Sequence, residues 1–438
     1  MRGFFNFAVA TAMAFIARTI AAPTPIVVTP GDKGDIIITK ENTLNSTAPA
    51  HNDSFAINAY NPLKISLVNN FGGGNLNVYV TGLDVSGNVV MLSTSGSWYR
   101  PNPAGSQVPV AINANIALSM KGKGQTTEFT LPDYISSGRI WVAEGNLQFF
   151  TVASGDGRSL LVEPSAANPS DPSAAVNWGF VELTNTEQGG IYANISFVDF
   201  VGLVMGMSLS LGDGSTQTVK GLKEGAVASI CQEMHDQAAK DGQPWDKMCV
   251  TDKDGKPLRI LSPNLYMSID PRAMASYYDS YIDQVWQKYT SQDLTINTQA
   301  AAGNVACRVN GNQLTCNGDN RGYPKPTIID IWGCNSGPFA IQGSDNDVHR
   351  AVVPRLCAAF YRSTLLLSGG NVQPSLKSDS YYTTSPTSHY SRIVHKYETD
   401  GKGYAFSYDD VNPDGQNEAG VVAGLQPKTL ELHVGGFA

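Results

Sequence analysis

The chain carries little charge and has no basic cluster. Charged residues make up 16% of its 438 residues, and the formal net charge is −8. Nucleic-acid-binding proteins carry clustered Lys and Arg that neutralise phosphates, so no nucleic-acid partner is expected. The chain is not of the disordered class either, because 42% of its residues are hydrophobic. With its 43 glycines, this composition indicates a globular protein rich in turns.

Long apolar runs are missing beyond the N-terminus. No later stretch of about 20 residues is apolar enough to cross a bilayer, so no membrane association is expected. At the N-terminus, a positive start at Arg2 is followed by the apolar run 3–17 and by small residues at 19–22. This order is typical of a signal peptide, here residues 1–21, and predicts a secreted protein, extracellular or in the cell wall. Residues 22–55 are rich in Pro, Thr, Asn and Asp and are expected to form a flexible lead or propeptide.

Cysteine is absent from the first 230 residues, and no Cys-x-x-Cys motif occurs. The six histidines do not cluster with the cysteines, so neither a metal site nor another cofactor is expected. An even number of cysteines in a secreted chain indicates disulfide bonds, although six cysteines allow fifteen connectivities. Sequons at Asn45 and Asn52 are expected to carry glycans in a eukaryotic secretory pathway. The simplest disulfide pairing is sequential: Cys231 with Cys249, Cys307 with Cys316, and Cys334 with Cys357.

Regularly spaced short strands predict a mainly β fold. From Leu63 onward, short alternating apolar runs are separated by glycine turns, which is typical of a β-sandwich or barrel. Three later stretches have helical features: residues 223–239, a segment opened by Asp270 and Pro271, and residues 348–367. The order of these patterns indicates β structure with an α/β insertion.

The predicted organisation has two parts. We expect a β domain over residues 56–215, completed by residues 380–438, where the tail 391–434 returns to strands. A smaller mixed α/β domain is expected over residues 216–379, and it contains all six cysteines. A cleft between two such domains is a common place for a ligand.

Two acidic residues in one predicted hairpin are the main candidates for chemistry. Residues 177–184 and 194–202 read as two strands joined by a loop centred near Gly190. In that register Glu182 and Asp199 are directly opposed, with Cβ atoms roughly 4.5–5.5 Å apart. Repulsion between such acids raises the pKa of one and leaves the other ionised, which is the division of labour in glycoside hydrolysis. The alternative is a pair of acids on a solvated sheet face.

Several segments, taken together and in order, resemble glycoside hydrolase family 64, whose members are inverting β-1,3-glucanases related in fold to thaumatin-like proteins. The order of the motifs along the chain is specific to this family. The first group of segments comprises 63–72, 78–84, 178–184 and 194–199. A second group is similar to the fungal-type branch of the family and comprises 244–247, 335–339, 353–360, 381–386 and 404–410.

The resemblance implies a thaumatin-like sandwich or barrel and roles for particular residues. Glu182 matches the family's general acid and Asp199 its general base, and Thr184 is similar to a substrate-contacting threonine. Asn194 stands where thaumatin-like proteins often hold a further Asp, so a third carboxylate is missing from this register. If Asn194 lines the cleft and binds substrate, its own sequon is expected to be unused. The implied activity is endo-type, inverting cleavage of β-1,3-glucan by a monomer without metal or cofactor.

Two further residues are candidates for substrate binding, each with a structural alternative. Trp178 offers a flat ring for stacking on a sugar, although a core position is the commoner fate of such a residue. Asp410 either faces the cleft or lies at a solvated strand end.

At the level of function, the alternative is a non-catalytic thaumatin-like protein that binds β-glucan or acts against fungi. The intact pair of Glu182 and Asp199 favours the enzyme, because a protein that only binds tolerates loss of either acid.

Overall fold

Alternating buried and exposed positions along short segments produce a protein made mainly of β-strands, with several sheets and a few helices. The computed structural model describes residues 25–45, 62–416 and 418–437. The predicted signal peptide and the sequon at Asn52 lie outside these residues. Within the described part, no helix is both long enough and apolar enough to cross a membrane.

The strands of the first half of the chain are short, and only β4, β10 and β13 reach eight residues or more. In chain order they are β1 Ile26–Val27, β2 Thr43–Asn45, β3 Lys64–Asn69, β4 Leu76–Leu83, β5 Val89–Leu92, β6 Trp98–Tyr99, β7 Val110–Ala111, β8 Leu118–Ser119, β9 Thr126–Thr130, β10 Ile135–Glu144, β11 Phe150–Ala153, β12 Ser159–Val162, β13 Asn177–Thr186, β14 Gly190–Ile195, β15 Phe200–Val201, β16 Met205–Leu211 and β17 Thr216–Val219.

Helices enter in the second half of the chain. The remaining strands are β18 Cys249–Thr251, β19 Pro257–Leu261, β20 Leu294–Asn297, β21 Asn304–Asn310, β22 Gln313–Cys316, β23 Tyr323–Pro324, β24 Val372–Gln373, β25 Val422–Gly424 and β26 Pro427–Val434. The α-helices are α1 Ala226–Asp241, α2 Pro263–Met267, α3 Asp279–Ser291, α4 Ile328–Gly333, α5 Asp347–Tyr361 and α6 His389–Tyr397. Short 3₁₀ turns occur at Lys33–Asp35, Trp245–Met248, Gly337–Phe339 and Ser378–Ser380.

The largest sheet has eight strands and carries the acidic strand β13 near its middle. Its order is β25-β14-β13-β10-β4-β5-β6, and β8 also pairs with β4. A five-stranded sheet, β17-β16-β26-β3-β9, places the C-terminal strand β26 between two early strands, parallel to β3. Two four-stranded sheets, β2-β12-β11-β7 and β1-β18-β19-β15, lie beside these. A separate five-stranded sheet, β23-β22-β21-β20-β24, belongs to the helix-containing part of the chain.

An aromatic cluster underlies the middle of the large sheet. Trp141 of β10 lies 5.4 Å, centroid to centroid, from Trp178 of β13. The ring of Phe200 from β15 lies 4.5 Å from that of Trp178 and 5.7 Å from that of Phe180. All four rings are buried. Because Phe200 directly follows Asp199, this packing holds the Asp199 segment against the strand that carries Glu182.

The predicted disulfide pairing is confirmed. Cys231–Cys249 joins α1 to β18, Cys307–Cys316 joins β21 to β22, and Cys334–Cys357 joins the end of α4 to α5. No described cysteine is free. All three links lie in the helix-containing part of the chain, and one of them secures β18, which belongs to the same sheet as β15.

Two of the predicted helices are found, and two other element predictions are wrong. Helix α1 matches the prediction over 223–239, and α5 matches the one over 348–367. The helix expected from Asp270 begins only at Asp279, because the chain between them forms successive turns in which Asp270 accepts bonds from the backbone nitrogens of Arg272 and Ala273. The tail, expected to contain strands only, begins with helix α6, which is capped by Ser388.

Part of the predicted flexible lead is ordered. Residues 25–45 belong to the stretch 22–55, which has little apolar pattern in the sequence. They nevertheless contribute β1, which pairs with β18, and β2, which pairs with β12. The backbone of this segment thus bonds to strands that are formed much later in the sequence, so short-range patterns gave no sign of the pairing.

Candidate active site

Glu182 lies at the centre of the large sheet, on strand β13. On one side it is paired with Arg139 of β10, and on the other with Asn194 of β14. Its side chain is 35% exposed, so a ligand at the sheet surface can reach it. Thr184 lies two residues further along and points to the same face, because side chains alternate along a strand.

The predicted register of the hairpin is wrong. Thr186 pairs with Gly190, so the turn is centred on residue 188 and Glu182 faces Asn194 rather than Asp199. Gly190 was taken as the middle of the loop, but it is the first residue of the returning strand and adopts a φ of 65°. Asp199 therefore lies beyond the end of β14, and the two acids do not form a cross-strand pair.

Asp199 is positioned by a second sheet. It directly precedes β15, in which Phe200 pairs with Leu261 of β19. The backbone nitrogen of Ser262 donates a hydrogen bond of 2.8 Å to the carbonyl oxygen of Asp199. The side chain of Asp199 is half-buried. The two candidate acids thus come from different sheets, whose relative position is fixed by the aromatic cluster beneath them.

Arg139 connects the acidic residues of the site. Its guanidinium donates to Glu182 Oε1 at 3.1 and 3.3 Å and to Glu163 Oε2 at 2.6 Å. Glu163 follows β12, is 4% exposed and also accepts a bond of 3.2 Å from Thr81 Oγ1. The guanidinium carbon lies 4.5 Å from the ring centroid of Phe180, which is within cation–π range. Arg139 thus joins the exposed acid to a buried one.

The electrostatics of the site single out Asp199. Burial raises its pKa to about 6, Arg139 acts against that rise, and Glu182, Glu41 and Glu163 add to it. Burial also raises the pKa of Glu163, although the charge of Arg139 opposes this. For Arg139 itself, burial would lower the pKa, but the surrounding carboxylates outweigh burial and raise it. A carboxyl group with a pKa near neutrality beside other acids is typical of general acid–base sites.

A polar cavity of about 390 Å³ opens above Glu182. Two residues predicted to contact substrate, Thr184 and Asn194, line it. The Oδ1 atom of Asn194 is buried and has no hydrogen-bond partner among the described residues. A smaller cavity of about 50 Å³ contains Asp199 and shares Arg139 and Glu41 with the first as lining residues. The two acids therefore face adjoining spaces around one arginine.

Trp178 does not offer a ring to a ligand. It is 1% exposed and packs within the aromatic cluster, so its predicted stacking on a sugar is corrected to a core role.

Asp410 is exposed but does not line either cavity. It shares a hydrogen bond with Tyr404, which contacts Tyr192 of the larger cavity, so these tyrosines connect it to the site. Asn45 is exposed at the end of β2, as a glycan acceptor requires.

Three charged residues of the site were missed by the sequence analysis. Arg139 is the only charge in the apolar strand segment 138–143, and a charge in such a place needs a partner because its burial is costly. The sequence therefore signals a buried charge in this strand, but it does not show which residues pair with Arg139. Glu163 and Glu41 lie in segments without any catalytic pattern, and only the pairing of β12 with β2 brings them to the cavity.

Comparisons with known proteins give matches in both sequence and structure. The sequence model of glycoside hydrolase family 64, described as beta-1,3-glucanase, matches residues 61–434. Glucan endo-1,3-beta-glucosidases of Cellulosimicrobium cellulans and Arthrobacter sp. (strain YCWD3) are 28% and 29% identical over 355 residues, which is 80% of this chain. The match spans 61% of the length of each of these relatives.

The fold is also that of solved glucanase structures. A laminaripentaose-producing beta-1,3-glucanase, crystallised with laminaritetraose, superposes with a TM-score of 0.74 at 26% identity, over 85% of this chain and 98% of the other. A beta-1,3-glucanase domain from Clostridium beijerinckii superposes with a TM-score of 0.66 at 19% identity, over 85% and 98% of the two chains. The second likeness concerns the fold alone.

Proposed function

Because the chain belongs to glycoside hydrolase family 64, the family of β-1,3-glucanases, we propose that it is a secreted enzyme that cuts β-1,3-glucan internally with inversion at the anomeric carbon. The single observation that carries this proposal is the pair of acids, Glu182 and Asp199, facing adjoining cavities around Arg139. The activities for which the relatives are named point to the same polymer.

The proposed reaction uses the two carboxyl groups and one water molecule. Glu182 gives its proton to the glycosidic oxygen as the bond between that oxygen and the anomeric carbon breaks. Asp199 takes a proton from water, whose oxygen forms the new bond on the opposite face of the same carbon. The β-linked glucan thus yields an α-configured end, and solvent resets both groups. NMR of the first product checks this, and an initial β-anomer would contradict inversion.

Substrate binding is assigned to the residues that line the larger cavity. Thr184 and Asn194 lie on the same surface as Glu182, and their polar side chains are suited to hydrogen bonds with sugar hydroxyls. The groove is proposed to run between a thaumatin-like β part, residues 56–215 with 380–438, and the mixed α/β part, residues 216–379. The site is formed within one chain, which agrees with a monomer.

The activity is tested by incubating the protein with laminarin and with β-1,4- and β-1,6-glucans and measuring new reducing ends. Cleavage of laminarin alone is expected. Glu182→Gln and Asp199→Asn should each lower kcat by at least about 10²–10⁴-fold, because general acid–base groups contribute that much. Asp410→Asn is the milder control, since Asp410 does not line the cavities. Binding of laminarin without any cleavage would favour the non-catalytic glucan-binding alternative.

The roles of the two acids are separated by a substrate with a good leaving group. An aryl β-laminarioligoside whose phenol leaves without protonation no longer needs the general acid, but it still needs the general base. Glu182→Gln should therefore regain much of its lost rate on this substrate, whereas Asp199→Asn should not. The reverse pattern would exchange the two roles while leaving the pair intact.

A further inference from the structure

The N-terminal arm, residues 25–45, lies outside the match to the family, which begins at residue 61. It is nevertheless anchored along its length to the body of the protein. Val28 N donates to Thr251 O at 3.0 Å, and Asn168 Nδ2 donates to Asp35 O at 2.8 Å. Two more backbone bonds fix Thr29 and Gly31 to the loop at residues 169–170. The arm therefore follows a defined path across the surface.

The path ends at the candidate active site. Strand β2 pairs with β12, and Glu163 N donates a bond of 2.8 Å to the carbonyl oxygen of Asn42. Since Glu163 is the buried acid bound by Arg139, this bond ties the arm to the acidic network itself. The turn before β2 is closed by Asn42 Oδ1, which accepts from Thr39 N at 2.7 Å. The arm is thus shaped locally at the point where it meets the site.

Residues of this turn line both cavities. Lys40, Glu41, Thr43 and Leu44 line the cavity of Glu182. Glu41 also lines the cavity of Asp199, together with Thr39 and Asn42. Glu41 is the only residue of the arm found in both linings. Glu41 thus adds a further carboxylate to the site, beside those of Glu182 and Asp199. It comes from the arm and not from β14, where Asn194 stands in place of an acid.

We propose that the N-terminal arm forms one wall of the substrate groove and that Glu41 is a positioning residue, which acts on Asp199 through its charge. This inference rests on the proposed function, because it assigns Asp199 a role in catalysis. It adds a residue from outside the family match to the machinery of this chain. It also requires that the arm be part of the active protein.

The charge of Glu41 acts together with other groups around Asp199. Arg139 comes from β10, Glu182 from β13, and Glu163 from the segment after β12. Helix α6 adds Tyr390, whose hydroxyl donates to Phe197 O at 2.6 Å. Arg139 is the one cation in this set, and Glu41 is one of the groups that raise the pKa of Asp199. Removing the charge of Glu41 therefore lowers the pH at which Asp199 ionises.

The test is the pH profile of kcat/KM on laminarin for full-length Glu41→Gln. The limb of this profile that follows the ionisation of Asp199 should move to lower pH by roughly 0.2–0.7 of a pH unit. This is the size expected for interactions between partly exposed charges. The direction is the same whether Asp199 acts as base or as acid. Glu41→Asp should keep the wild-type limb, and Glu187→Gln, which removes an equal charge from the hairpin turn, should leave the limb in place.

A Glu41→Gln variant with an unmoved limb would overturn the inference, even if its thermal midpoint changes, since a merely structural role predicts stability loss alone. The retention of the arm is tested on secreted, active protein by sequencing its N-terminus. An active protein that begins after residue 45 would overturn the proposal as well. Inactive Glu182→Gln and Asp199→Asn beside an unmoved Glu41→Gln profile would leave the proposed function standing and reject only the role of Glu41.

Discussion

At the scale of single residues, Asp199 has the most informative pH behaviour. Burial raises its pKa from 3.8 to about 6, so at pH 5 the folded protein holds it mostly protonated. If Asp199 is the general base, kcat/KM should fall as the pH drops below about 6, because the base must be ionised. If it were the general acid, kcat/KM would fall as the pH rises above about 6. A pH profile of laminarin hydrolysis distinguishes these outcomes.

The same shift predicts an effect on stability. Below pH 3.8 Asp199 is neutral in both folded and unfolded chains, so its burial costs little. Between pH 3.8 and about 6 the unfolded chain ionises Asp199 while the folded protein still holds it protonated, so the free energy of unfolding falls over this range and stays at the lower level above it. Asp199→Asn is permanently neutral and should therefore raise the thermal midpoint at pH 7, by roughly 1 °C for each kcal/mol regained in a chain of this length. Near pH 3.5 the variant and the wild type should melt together, and a gain at both pH values would contradict the burial argument.

Among secondary-structure elements, β10, β13 and the end of β12 are joined by the contacts of Arg139. Replacing Arg139 by Met leaves the carboxyl group of Glu163 buried without its cation, and breaking such a buried pair typically costs about 3–5 kcal/mol. The thermal midpoint of Arg139→Met should therefore drop sharply. Adding Glu163→Gln should restore part of the midpoint but not the activity, because Glu182 still lacks its donor. Recovery of both by the double variant would mean that Arg139 has no part in catalysis.

What the sequence could and could not predict also differs among these elements. The acidic strand, the pairing of cysteines and the helices α1 and α5 follow from local patterns or from order along the chain. The hairpin register did not, because Gly190 fits either the middle of the loop or the first position of the returning strand. Arg139 and Glu163 meet only through pairing between distant strands. Such long-range pairing is set by the packing of whole sheets, which no short sequence window contains.

On the scale of the whole molecule, the site depends on parts that are far apart in sequence and are linked covalently. The bond Cys231–Cys249 secures β18, and β18 pairs both with β1 of the N-terminal arm and with β19, the neighbour of the Asp199 segment. The disulfide therefore supports the sheet that presents Asp199, at a distance from the chemistry itself. Disulfide bonds persist in oxidising compartments, which agrees with the proposed secretion.

This dependence gives the last prediction. Secreted protein should have its N-terminus near residue 22, after removal of the predicted signal peptide, and native alkylation should find no free thiols among its six cysteines.

Replacing both Cys231 and Cys249 by Ser should lower the thermal midpoint, because a native disulfide contributes typically 2–4 kcal/mol. The same change at Cys307 and Cys316 is the matched control, since that pair joins β21 to β22 in a sheet that presents neither acid. Activity below the melting range should fall more for the first pair than for the second. Equal losses for the two pairs would show that the Cys231–Cys249 link supports only general stability and not the placement of Asp199.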